Sequence, residues 1–167
     1  MANTFELISS VTVGSGGAAS IDFTSIPATY TDIVVKYSLR SDNGDDYFAL
    51  TLNGSSSSFT SRDVQGNGSS ATSANRTDNL LVYTQDPNTM TANTFSSGEI
   101  YFPNYAGSTN KSFSQDTAYE NNATGAGMAL RAGLWSNTAV INRVTISKAS
   151  GNFVQYSTAY LYGVKNA

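Results

Sequence analysis

Acid–base chemistry in this chain rests on carboxylates, lysines and tyrosines, because its 167 residues include no histidine and no cysteine. That excludes disulfides, thiolate and imidazole metal ligands, catalytic thiols and any triad built on an imidazole base. A pair of carboxylates remains, and a glycosidase needs no more than that. Glu99, Asp116 and Glu120 are the candidates, but their segments read as strands with polar outward positions. Ordinary sheet surface is therefore the favoured reading. Asp42, Asp45 and Asp46 could offer oxygen ligands to calcium, yet they miss the EF-hand spacing, and an acidic solvated turn is simpler. Ten tyrosines and Trp135 could form a stacking platform for sugar. Tyrosine also fills half-buried strand faces, so core or interface positions are preferred. The expectation is a chain without catalytic, cofactor-binding or metal-binding residues.

Composition bounds the partners. Charged residues make up 13% of the chain, hydrophobic ones 40%, and the formal net charge is −3. Such a balance offers no basic field to nucleic acid. No apolar run is long enough to span a membrane, and the start (MANTFELISS) lacks the features of a signal peptide. Synthesis in a cytoplasm is expected, so the five Asn-x-Ser/Thr triplets at Asn53, Asn67, Asn75, Asn110 and Asn122 read as unglycosylated.

Ser, Thr and Asn fill about a third of the positions, a composition suited to turns and wet strand faces. Period-two patterning supplies the strands. Phe5, Leu7, Val11 and Val13 share one face of the first. Between Thr31 and Arg40, Ile33, Val35, Tyr37 and Leu39 lie on a dry face, with Asp32, Lys36 and Arg40 on a wet one. Phe48, Leu50 and Leu52 alternate up to the turn signal Asn53-Gly54. Residues 53–79 carry few apolar anchors beyond Phe59 and Val64, so a long surface excursion is expected there. Further strands are expected at Leu80–Tyr83, Glu99–Phe102, Ser112–Tyr119, Val140–Ser147 and Thr158–Val164. Another holds Met128, Leu130, Ala132 and Leu134 on one face, with Arg131 and Trp135 opposite.

Some eight to ten short strands without a crossover helix predict an all-β fold. An antiparallel, jelly-roll-like β-sandwich in a single domain, 1–167, fits best. The tail carries a specific expectation. Ala159, Leu161 and Gly163 should pack in the core with Val144 and Ile146, leaving Arg143 and Thr145 outside. Tyr160, Tyr162 and Val164 form an apolar opposite face, which an exposed strand face should not be. A chain segment or a neighbouring subunit should cover it. With Trp135, these three are the candidate interface residues.

Three segments carry a family resemblance: MANTFELISSVTVGSGGAASIDFTSIPATYTDIVVKYSLR, EIYFPNYAGSTNKSFSQDTAYENN and GLWSNTAVINRVTISKASGNFVQYSTAYLYGVKNA. Their phrasing resembles small virion structural proteins of tailed bacteriophages, cyanophages and other marine phages in particular. The likeness covers most of the chain outside 53–79 and 84–96. It implies a particle component made in the host cytoplasm, most readily a capsid decoration (cement) protein on the shell surface. The major capsid protein and further copies of the chain, in a homotrimer, are the partners it implies. A tail-fibre or receptor-binding module recognising host-surface glycan is the alternative.

Overall fold

The computed structural model describes residues 4–43, 47–81, 91–121 and 125–165. The described residues form twelve strands and no helix. In chain order they are β1 (Phe5–Thr12), β2 (Ser20–Phe23), β3 (Asp32–Leu39), β4 (Phe48–Leu52), β5 (Phe59–Gly66) and β6 (Ala71–Arg76). There follow β7 (Leu80–Leu81), β8 (Ser96–Phe102), β9 (Lys111–Glu120), β10 (Ala126–Trp135), β11 (Val144–Ser147) and β12 (Thr158–Val164). All ladders are antiparallel. The expected all-β sandwich is what the chain forms.

The strand order separates a body from an extension. One sheet runs β1-β12-β3-β8-β9-β10-β5-β6, the other β2-β11-β4-β7. Taking β1, β12, β3 and β8 against β2, β11, β4 and β7 gives the interleaved connectivity of an eight-stranded jelly roll. The remaining strands are two hairpins inserted into that path, β5–β6 after β4 and β9–β10 after β8. They widen the first sheet beyond β8. The segment 53–79 is therefore not a surface excursion. It enters through a two-residue turn at Asn53-Gly54, both at positive φ (53° and 77°), and β5 then pairs with β10 over its whole length. Few apolar residues mark this hairpin because most of its strand positions face water or a polar interior.

The core lies between the sheets. Ile33, Val35, Leu39, Ile100, Phe102 and Leu161 from the large sheet meet Ile21, Phe23, Phe48, Leu50, Val144 and Ile146 from the small one. β3 keeps the alternation its sequence announces. Val144 and Ile146 are buried, while Arg143 is exposed and bonded to Asp22. Tyr37 lies deep in this core, and burial pushes its hydroxyl up to about 12. Glycine makes room where sheet and aromatic ring approach: a Cβ on Gly133 would strike the ring of Phe113, and one on Gly98 the Tyr37 hydroxyl.

Two faces differ from expectation. In β1 a bulge between Leu7 and Ser9 shifts the register, so Phe5 and Leu7 point outward while Val11 and Val13 turn towards the core. In β10 the faces are reversed. Met128 and Leu130 are exposed (66% and 60%), whereas Arg131 and Trp135 are buried. Arg131 is held inside by Asp63 at 2.6 Å, and Arg76 reaches the same carboxylate at 3.2 Å. Burial works against the Asp63 charge, but the hydrogen bond and charge of Arg131, with hydrogen bonds from Arg76 and Gln65, win and hold its carboxyl below the ordinary range.

Candidate interaction face

The outer face of the large sheet assembles most of the candidate residues. Because side chains alternate, every second residue of each strand lies on it. The registers place them in rows. One row runs Tyr160, Lys36, Glu99, Asp116, Leu130 and Val64, from β12 to β5. Beside it run Tyr162, Val34, Tyr101, Ser114 and Ala132. Each row is aromatic at one end and aliphatic at the other; the first is charged between, whereas the second holds buried Val34, half-buried Tyr101 and exposed Ser114 there.

At the aromatic end Phe5 and Leu7 are each 53% exposed and Tyr160 37%. Phe5 meets Tyr162 edge-on with centroids 6.4 Å apart, and Tyr160 stacks on Tyr162 at 6.5 Å. The aliphatic end consists of Val64, Met128 and Leu130, all more than half exposed, around an open depression of about 430 Å³ floored partly by Ala118. Burying an apolar side chain of this size stabilises by about 1.5–3 kcal/mol. Leaving several unburied on one face is the signature of a surface that meets something.

Between the ends lies a short charged strip. Lys36 donates to Glu99 at 2.6 Å, and that bond raises the lysine above its ordinary value. Asp116 lies directly across the ladder from Glu99. Partial burial, and then the charge of Glu99, push its carboxyl up, and no ion pair is formed by it among the described residues.

Of the residues picked out from sequence, Tyr160, Tyr162 and Val164 come together on this face, with Ala159, Leu161 and Gly163 packed beneath. Among the described residues no segment covers Tyr160, which is 37% exposed. Trp135 does not join them. It is 1% exposed and stacked on Phe59 at 6.2 Å, so it is a core residue and not a surface anchor. Of the carboxylates, Glu99 and Asp116 are neighbours, whereas Glu120 sits at the far end of β9 opposite Ala126. Asp42 accepts the backbone N–H of Asn152 at 2.6 Å, and Asp45 and Asp46 lie outside the described residues. No group of three potential metal ligands exists among the described residues.

No known relative was found. The chain matches no family model, no curated protein and no solved structure.

Val64, Met128 and Leu130 are the site residues that sequence reasoning missed. A usable signal was the company Trp135 keeps. Trp135 shares parity with Arg131, and burying the largest apolar side chain of the strand forces Met128 and Leu130 outward. What could not be read was Asp63, the partner that makes Arg131 tolerable inside, 68 residues away.

Proposed function

We propose that this chain is a structural component of a phage virion, working by surface contact without catalysis, and most readily a decoration protein on the capsid shell. The observation that carries the reading is the broad outer face of the large sheet, with apolar ends and a charged middle. A protein whose task is to hold neighbours needs a rigid framework and such a surface, and repeated weak contacts on a lattice add up through multivalency. The jelly-roll body is in keeping with this, since viral capsid domains use that architecture, as do lectins. Fold alone does not assign a role, so the support comes from the face and from the resemblance to small virion proteins.

The test is stoichiometry in purified particles. The reading predicts a copy number in fixed proportion to the major capsid protein, and loss of the protein from shells when Leu130→Asp is introduced. A handful of copies confined to the tail would overturn it.

One observation favours a second reading, a glycan-recognising fibre module. Tyr160, exposed and stacked on the half-buried Tyr162, offers a ring face of the kind sugars stack on. Binding to host polysaccharide that disappears in Tyr160→Ala would support it. Trp135 is no control here, being buried.

A further inference from the structure

The two ends of the outer face differ in kind, aromatic at β1 and β12 but aliphatic at β10 and β5, and they flank the charged strip almost symmetrically. β8 lies midway. Counted along the central row, Lys36 is one strand from Glu99 on one side and Asp116 one strand from it on the other. Tyr160 is two strands away and Leu130 two strands away in the opposite direction.

From this arrangement we infer that the outer face pairs with the same face of a second copy of this chain, about a twofold axis parallel to the strands and running over β8. The inference rests on reading this face as an assembly surface, and it names the partner.

A twofold axis in that place exchanges the flanks. Lys36 of each copy meets Asp116 of the other, giving the raised, unpaired carboxyl a cation. Tyr160 meets Leu130, and Tyr162 meets Ala132, so the aromatic end of each copy covers the aliphatic end of the other. Self-complementarity of this sort, residue i against j and j against i, is what an isologous contact demands. Glu99 falls on the axis and faces its own copy, each held by its own Lys36 at 2.6 Å. Moving the axis by half a strand towards β9 would set Glu99 against Asp116, two like charges, and bring Lys36 over Leu130. Moving it half a strand towards β3 would pair Lys36 with Glu99 but set Tyr160 against Asp116, so charges and apolar ends together select the register over β8.

The size is adequate. From β1 to β5 the face spans roughly 29 Å across the strands and about 20 Å along them. That footprint, about 600 Å² before surface relief is counted, compares with about 800 Å² per partner in a standard interface. Two twisted sheets stack readily at about −30°, as in any sandwich. The pairing replaces the threefold assembly that the family resemblance implies.

Charge reversal tests it on the intact chain. Sedimentation equilibrium over tenfold steps up to millimolar concentration should show the wild type as a dimer. Lys36→Glu sets two acidic pairs against each other, and Asp116→Lys two basic pairs, so each variant alone should dissociate with a constant raised about a hundredfold or more. Mixed in equal amounts they should dimerise again, because both trans pairs are then restored. Recovery on mixing also shows that each variant is folded. A wild-type trimer, a single variant that dimerises like the wild type, or a mixture that stays monomeric would overturn the pairing. A wild type that is monomeric but still mounts on particles overturns the pairing alone, leaving the assembly reading intact. A monomer that does not mount on particles overturns both.

Discussion

The jelly-roll body and its four-stranded extension use the same alternating pattern to opposite ends. In the body, β3 turns Ile33, Val35, Tyr37 and Leu39 inward and keeps Lys36 at the surface. In the extension, β10 turns Arg131 inward, and Met128 and Leu130 out. The small sheet explains the difference. Over the body it supplies apolar residues for β3 to pack against, whereas the interior side of β5 and β10 is apolar at Phe59 and Trp135 and turns polar beyond them, with Ser61, Asp63 and Arg131. A strand obeys its surroundings, not its own hydrophobicity. Where the interior is ionic, the apolar face is free to become a docking surface.

The largest effect should come from breaking the ionic interior. Asp63→Ala leaves Arg131 buried without its counter-charge and should cost about 3–5 kcal/mol, measured by urea unfolding. Replacing Asp63 and Arg131 together by leucine should recover most of that loss. Next comes the inside–outside contrast. Leu161→Ala in the body should cost about 2–5 kcal/mol, whereas Leu130→Ala in the extension should stay within about 0.5 kcal/mol. Equal losses at the two leucines would sink the distinction. Smaller again is Gly133→Ala, whose methyl must displace the Phe113 ring, at about 1–3 kcal/mol.

The smallest effect is a pair of opposite titrations. Asp63 inside is held below its ordinary value of 3.8, while Asp116 outside is raised above it. A depressed carboxyl stabilises the fold fully above its ordinary value, and that contribution is lost as the pH falls through the lower folded value. Ionised Asp116 instead opposes the fold, and acid relieves it. Carboxyl-detected NMR should show Asp116 protonating first and Asp63 last. The reverse order would contradict the assigned environments.

Much of the body was legible in the sequence because each strand announces itself locally. β3, β4, β9, β11 and β12 follow period two, and Asn53-Gly54 marks its turn. Tyr160 and Tyr162 could be placed on an apolar outer face from Thr158–Val164 alone. The extension was less legible for two physical reasons. β6 is exposed on both faces and carries no hydrophobic period. The direction of β10 depends on an ion pair between residues 68 positions apart. The β1 bulge, which sends Leu7 out and Val11 in, likewise depends on pairing with β12 and not on the residues of β1 themselves.

The chain has no native cysteine, so thiol labelling can test the exposed apolar face directly. Leu130→Cys and Leu161→Cys variants would be treated with a maleimide, first as dilute protein and then in the assembled state. The account predicts rapid labelling of Leu130→Cys when dilute, protection of the same site on assembly, and protection of Leu161→Cys throughout. Protection of Leu130→Cys in the dilute monomer, or unchanged labelling after assembly, would contradict it.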